Sequence, residues 1–358
     1  MNPLSGPIQP YIDRREIAGA VMFVADREGI LAIDAIGWAD TDARKPMMPG
    51  TLFWVASQTK PITAVALMML ADEGNLAVDD PVEKYLPEFS EIMVATKKEA
   101  GEVLLRRPAR PMTVKDLLLH TSGLPFRSRV EAPTLDLLPL ATAVHSYAMC
   151  PLEFEPGSAF LYSNASYNTA GRLIEVISGQ QYEHFLDERL FQPLGMRDTT
   201  FWPDAKETSH LAESYTADPA DGRLVKIPID QLLYPLANGA KRHPMPAGGL
   251  FSTAHDLALF YRMMVNNGSL DGRTYLGPET VCEMTRRHTP ENWEKGQGLG
   301  FVADGQSFGH GGAYGTNTKA DLSSGLILGW LVQQALFHGE GAYARETFEA
   351  AALEKFNR

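Results

Sequence analysis

Apolar, strand-like segments near both ends of this chain constrain its fold more than any other feature. Residues 20–26 and 30–33 are short apolar runs separated by a turn at Glu28 and Gly29, which is typical of a β-hairpin. Near the other terminus, residues 325–333 form another apolar run that fits a buried strand, and residues 340–356 have helical composition and spacing. The sequence therefore predicts one sheet that is assembled from both termini.

Helix signals fill the region between these strands. From Pro61 onward, apolar residues recur at the spacing of one helix face, and the pattern ends at Gly74. Further helices are predicted at 113–119, 166–177 and 254–266. The stretches 95–112 and 203–247 are rich in proline, glycine and charge without clear periodicity, so we expect loops or domain crossings there. Together these signals favour an α+β fold with a helical insertion.

Composition narrows the classes of function. A chain of 358 residues, 44% of them hydrophobic, can bury a large core in one big domain or two interleaved domains. Its formal net charge of -12 leaves no broad cationic surface, so nucleic acid is not expected as a partner. The short basic cluster of Arg106, Arg107 and Arg110 lies among prolines and is interpreted as a solvated loop without function.

Nothing in the sequence predicts a membrane or a redox role. There is no apolar run of the roughly 18 residues that a membrane span needs, and no amphipathic basic helix or lipidation motif. A signal peptide is not evident, so the location is left open between the cytoplasm and export with the signal removed. Cys150 and Cys282 lie far apart and outside metal-binding spacings, and both are expected to be buried apolar residues.

A hydroxyl and an amine lie three residues apart at the start of the helix that contains Pro61. Ser57 and Lys60 should therefore share one helix face, about one turn apart. Ser57 would stand where a helix leaves unpaired N–H groups, which favours a developing oxyanion. A Ser-x-x-Lys pattern is expected about once by chance in a chain of this length, and Ser57 as a helix cap beside a solvated Lys60 is the alternative.

Two further patterns strengthen the catalytic interpretation. Tyr162-Ser163-Asn164 precedes a predicted helix, and His310-Gly311-Gly312 precedes the C-terminal strand. This order of motifs resembles the class C β-lactamases, the DD-peptidases and the family VIII carboxylesterases. The segments 53–56, 118–124 and 247–253 are also similar to that superfamily, so the resemblance covers about residues 15–335.

The resemblance implies a β-lactamase/DD-peptidase-like fold and an acyl-enzyme mechanism. In that fold we expect residues 1–84 and 246–358 to form an α/β domain, residues 85–245 a mainly helical inserted domain, and the active site to lie in the cleft between them. Ser57 would attack the substrate carbonyl, while Lys60 and Tyr162 would share the roles of base and proton shuttle. Which of these two removes the proton is left open. A lysine that acts as a base must have its pKa lowered from about 10.4 to roughly 7 or 8.

The resemblance also implies how the site holds its substrate. Asn164 would hydrogen-bond Lys60 and the substrate, and the N–H groups of Ser57 and Ala313 would form the oxyanion hole. His310 and Gly311 stand where β-lactamases and DD-peptidases carry lysine and a hydroxyl residue, which normally help to hold a substrate carboxylate. Gly311 and Gly312 leave room for the backbone to approach a ligand. No metal or organic cofactor is expected.

The change at His310 points to esters before other substrates. A β-lactam or peptidoglycan stem would lose a charge-assisted anchor, whereas a neutral ester would lose nothing. We therefore rank a carboxylesterase on small or short-chain esters first, then a D-amino-acid-type peptidase or amidase, then a weak β-lactamase. An inactive binding or scaffold homologue is the alternative from another class, and the oligomeric state is left open.

For three aromatic or imidazole side chains, the sequence is compatible with a structural role as well as with a role in the site. His120 is expected to satisfy backbone groups in a helix-ending turn rather than to act in catalysis. Trp54 is interpreted first as a packing residue. For Tyr314, packing and substrate contact are weighed equally.

Overall fold

The computed structural model describes residues 4–99, 102–293 and 295–356. Its strands are β1 Gly19–Ala25, β2 Ile30–Asp40, β3 Lys45–Pro46, β4 Phe53–Trp54, β5 Val94–Glu99, β6 Glu102–Arg106, β7 Ser214–Ala217, β8 Leu224–Ile227, β9 Phe251–Ser252, β10 Ser269–Leu270, β11 Arg273–Thr274, β12 Val302–Ala303, β13 Ser307–Gly311, β14 Asn317–Asp321 and β15 Ile327–Leu331. Its α-helices are α1 Gln9–Asp13, α2 Thr59–Asp72, α3 Val114–Leu118, α4 Leu140–Ala148, α5 Asn164–Ser178, α6 Tyr182–Leu186, α7 Gln192–Leu194, α8 Ala205–Thr208, α9 Ala254–Val265, α10 Pro278–Thr285 and α11 Ala344–Phe356. None of the helices in these ranges is long and apolar enough to cross a membrane.

The main sheet joins the two ends of the chain, as the sequence predicts. Its seven strands run in the order β12-β13-β14-β15-β1-β2-β3. The N-terminal strand β1 pairs antiparallel with β2 on one side and with β15 on the other, where Val21 lies opposite Leu331. The α+β architecture with an antiparallel sheet is therefore confirmed.

Helices cover both faces of this sheet. Side chains alternate across a strand, so Val21 and Phe23 join the main core, whereas Met22 and Val24 face a smaller apolar cluster. In that smaller cluster Trp330 of β15 stacks on Phe348 of α11, with ring centroids 5.9 Å apart. This layering explains why every residue of β1 is buried and why its sequence is apolar without alternation.

The helices that carry the site are buried deeply. Residues 59–70 of α2 are all buried, and α2 packs against α5. The predicted helix at 166–177 begins two residues earlier, at Asn164, because the Ser163 hydroxyl caps it by accepting the Ser166 N–H at 3.0 Å. The predicted division into 1–84 with 246–358 and 85–245 stays a prediction.

Two predictions for the loops and cysteines were wrong. The stretch 95–112 contains most of the hairpin β5–β6, and 203–247 contains α8 and the hairpin β7–β8. All five residues of β6 are exposed, so this strand carries no apolar alternation that would reveal it. Cys150 is only partly buried and Cys282 is exposed on α10, whose inward positions are taken by Val281 and Met284.

Candidate active site

The turn that presents Ser57 is built by a strained residue. Ser57 lies in a 3₁₀ turn, Ala56–Gln58, directly before α2. Ala56 has a φ of 47°, in the left-handed region that alanine rarely adopts, and it is buried against the core. This turn brings the serine to the first turn of the helix, where N–H groups lack helical acceptors.

Lys60 is fully buried, with no exposed surface. Its Nζ is 3.2 Å from Ser57 Oγ, 2.8 Å from Asn164 Oδ1 and 2.6 Å from the carbonyl oxygen of Ala247. Burial lowers the pKa of Lys60 well below its usual value, because a charged ammonium loses its hydration there. The amine also lies over the ring of Tyr162, 4.6 Å from its centroid.

Tyr162 stands between the nucleophile and two imidazole rings. Burial raises the pKa of its phenol to about 12, and the nearby Ser57 side chain acts more weakly in the opposite direction. The ring of His120 lies 4.5 Å away and that of His310 lies 6.3 Å away, centroid to centroid. At neutral pH Tyr162 is therefore a protonated hydroxyl that can donate.

His120 holds the chain that carries Tyr162. Its Nδ1 accepts the backbone N–H of Ser163 at 3.0 Å, and its carbonyl accepts the N–H of Leu161 at 3.0 Å. His120 is buried and itself adopts a positive φ of 58°. These contacts fit the expectation that His120 satisfies backbone groups.

The third motif supplies one wall of the site. His310 and Gly311 are the last residues of β13, and Gly312 and Ala313 follow in the turn. The N–H of Ala313 makes no hydrogen bond to any residue in the described ranges. A Cβ on Gly312 would lie 2.2 Å from Thr316 Oγ1 and 2.5 Å from the Val55 carbonyl, so only glycine fits there.

One cavity of about 440 Å³ brings these motifs together. Ser57, Tyr162, Asn164 and the segment 310–313 all line it. No motif predicted much of the remaining wall, since several lining residues come from loops without a recognisable pattern: Phe126, Phe160, Gln231, Lys295 and Gln297.

Three residues near the cavity have roles that spacing alone could not reveal. Trp54 lines the cavity and also donates from Nε1 to the Gly248 carbonyl at 2.7 Å. Tyr314 packs edge-on against Trp54 with ring centroids 5.2 Å apart, and its hydroxyl donates to Asp230 at 3.2 Å. The Ala247 carbonyl accepts a hydrogen bond from Lys60. The sequence did not reveal this contact, although segment 247–253 contributed to the resemblance.

A sheet built from both termini, with this serine and lysine at the start of a buried helix, defines the class of serine hydrolases with the penicillin-recognising fold. The chain belongs to the β-lactamase family, whose model matches residues 6–352. The resemblance drawn from the three motifs is thereby confirmed.

Individual relatives span nearly the whole chain. The protein is 35% identical to Protein Rv1367c of Mycobacterium tuberculosis, over 91% of this chain and 88% of that one. It is 30% identical to Esterase EstB of Burkholderia gladioli, over 90% of this chain and 84% of that one. Among solved structures it is similar to EstCE1, a hydrolase with promiscuous acyltransferase activity, with a TM-score of 0.80, 26% identity and coverage of 98% and 97% of the two chains.

Proposed function

We propose that this protein is a carboxylesterase for small or short-chain esters and that it works through an acyl-enzyme on Ser57. The observation that carries the proposal is the buried amine of Lys60, 3.2 Å from the Ser57 hydroxyl oxygen. A serine is a weak nucleophile until a neighbouring base takes its proton. The similarity to EstB supports an ester as the substrate.

The contacts of Lys60 favour it as the base. A neutral amine has two N–H groups and one lone pair. Asn164 Oδ1 and the Ala247 carbonyl are both acceptors, so they take the two N–H groups. The lone pair is then left for the Ser57 hydroxyl, which donates to it. Burial opposes protonation of the amine and keeps the lone pair available.

Tyr162 is better suited to donate a proton than to remove one. Because the pKa of Tyr162 is raised to about 12, its phenolate is scarce at neutral pH. When Ser57 Oγ bonds to the substrate carbonyl carbon, its proton passes to Lys60. As the bond to the leaving alcohol oxygen breaks, that oxygen receives a proton through Tyr162, which Lys60 replenishes. Water then attacks the acyl-enzyme with the same groups and releases the acid.

The N–H groups of Ser57 and Ala313 are our candidates for the oxyanion hole. Both residues line the cavity, Ser57 in the 3₁₀ turn before α2 and Ala313 in the turn after β13. A donor of this kind contributes about a hundredfold or more to turnover. The close contacts of Gly312 fix the position of Ala313 relative to Val55, two residues before Ser57.

Hydrolysis of p-nitrophenyl butyrate tests the proposal. Wild type and Ser57→Ala are prepared identically and assayed beside a chromogenic cephalosporin. Ester turnover that disappears in Ser57→Ala, with little cephalosporin cleavage, is the expected result. Covalent labelling of Ser57 by a fluorophosphonate separates an enzyme with narrow specificity from an inactive scaffold. Wild type that neither turns over the ester nor takes up the label would refute the proposal.

A further inference from the structure

The proton on the His310 ring has a fixed place. His310 Nδ1 lies 2.7 Å from the carbonyl oxygen of Gly311. A carbonyl oxygen only accepts hydrogen bonds, so Nδ1 carries the hydrogen. In a neutral imidazole the other nitrogen, Nε2, then holds a lone pair and no hydrogen.

The surroundings of His310 keep the ring neutral. His310 is buried, and the loss of hydration there is the main reason that its pKa is lowered to about 4, while the positive charge of Lys295 acts in the same direction. The Gly311 carbonyl acts in the opposite direction but does not overcome burial. The ring that replaces the lysine of related β-lactamases therefore carries no charge near neutral pH.

The lone pair of Nε2 is available to a ligand. His310 lines the same cavity as Ser57 and Tyr162. Within the described part of the chain, Nε2 makes no hydrogen bond. It is also not among the fully buried side-chain N and O atoms that lack a partner, so part of its surface is exposed. It is therefore open to the cavity. Gly311, the next residue, has no hydroxyl that could donate in its place.

The position of His310 tells which end of a substrate it meets. Under the proposed mechanism, Tyr162 delivers the proton to the leaving alcohol. The His310 ring flanks the Tyr162 ring at 6.3 Å, centroid to centroid. We therefore place the His310 ring beside the leaving alcohol.

We propose that His310 accepts a hydrogen bond from the leaving alcohol, so that the enzyme prefers esters whose alcohol carries a second, free hydroxyl group. Monoesters of diols and polyols are this class of substrate. A carboxylate at the same place would meet a lone pair instead of a donor and is disfavoured. This inference rests on the proposed esterase activity.

Three butyrate esters that share one acyl-enzyme test the inference. They are 2-hydroxyethyl butyrate, 2-methoxyethyl butyrate and butyryloxyacetate, which differ only in the leaving alcohol. Butyrate release gives kcat/KM for each, so differences report acylation and not deacylation. We expect the hydroxyethyl ester to exceed the methoxyethyl ester by about fivefold, the effect of one neutral hydrogen bond, and the carboxylate to be the poorest substrate.

Variants at His310 show where the preference arises. His310→Leu should bring the hydroxyethyl to methoxyethyl ratio close to one. His310→Lys should raise butyryloxyacetate relative to the hydroxyethyl ester, because an ammonium donates to a carboxylate. Lys295→Gln removes a charge from the same cavity wall and leaves the His310 ring in place. It is the matched control and should keep the hydroxyethyl preference.

The outcomes separate this inference from the proposed function. Hydrolysis of p-nitrophenyl butyrate serves as the reference reaction. If wild type turns over that ester but shows a hydroxyethyl to methoxyethyl ratio near one, the role of His310 is refuted while the esterase stands. A preference that survives in His310→Leu would refute it as well. Absence of all ester turnover would overturn both.

Discussion

Lys60 Nζ lies 2.6 Å from the carbonyl oxygen of Ala247, a residue 187 positions further along the chain. This contact gives the buried amine a second acceptor besides Asn164 Oδ1. The Ala247 N–H is itself held, since it donates to Asn168 Oδ1 at 3.1 Å. Asn168 Nδ2 in turn donates to the Tyr147 hydroxyl at 2.8 Å. A chain of buried hydrogen bonds therefore sets the direction in which Lys60 points.

Replacing Lys60 by arginine should abolish ester turnover. Arginine keeps the positive charge but remains protonated at every accessible pH, so it cannot accept the Ser57 proton. Loss of a general base typically lowers turnover by 10²–10⁴-fold. The measurement is kcat/KM for p-nitrophenyl butyrate. Lys84→Arg, at an exposed lysine, is the control and should behave as wild type; substantial activity in Lys60→Arg would mean that the lysine supplies only charge.

The pH profile of kcat/KM should rise once with increasing pH and then level off on the alkaline side. Activity requires neutral Lys60, so it should fall as pH decreases through the pKa of this amine, which burial places well below 10.5. Tyr162 must stay protonated, and with a pKa of about 12 it should leave a plateau on the alkaline side. Initial rates between pH 5 and 10 test both statements. An activity that is still rising steeply at pH 10, with no plateau, would contradict a lowered pKa for Lys60.

Adjacent glycines in the third motif should respond differently to alanine. In Gly312→Ala the new Cβ would meet the Val55 carbonyl at 2.5 Å and would push away the turn that carries Ala313. In Gly311→Ala the atom nearest to the new Cβ is Asn317 Nδ2 at 3.3 Å, so the steric clash is far milder. Displacing one oxyanion donor costs about 10²–10³-fold in kcat. The measurement is kcat for both variants, and equal losses would argue against a precise role for the Gly312 backbone.

Arg242 and Asp136 form an ion pair whose side chains are 2% and 1% exposed. Arg242 Nε donates to Asp136 Oδ2 at 2.7 Å, and Asp136 also accepts the Leu233 N–H at 2.9 Å. Arg242→Met should lower the free energy of unfolding by about 3–5 kcal/mol, because it leaves a buried carboxylate without its partner. Urea denaturation measures this change.

A partly exposed ion pair provides the control for that experiment. Arg345 and Glu349 lie 3.4 Å apart on α11 with side chains 38% and 28% exposed. Arg345→Met should change the free energy of unfolding by no more than about 1 kcal/mol. Comparable effects of Arg345→Met and Arg242→Met would show that the buried pair contributes nothing special.

Local patterns predicted those elements whose burial leaves a trace in the sequence. The strand β1 and the helix α2 are apolar because both are buried, and their positions agree with prediction to within a few residues. The hairpin β5–β6 escaped prediction because its β6 strand is exposed on all five residues and therefore lacks apolar alternation. The start of α5 was missed by two residues because Ser163 caps the helix and Asn164 already lies within it.

The sequence by itself determined the family, the sheet built from both termini and the pairing of Ser57 with Lys60. These depend on contacts that are local or on motifs whose order is visible along the chain. Only the tertiary structure placed the Ala247 carbonyl beside the Lys60 amine and brought that amine over the ring of Tyr162. It also left Nε2 of His310 as an open acceptor, because the burial and contacts that fix its proton arise only when the chain folds. A side chain's protonation depends on burial and on neighbours from distant segments, and neither is a property of the sequence order alone.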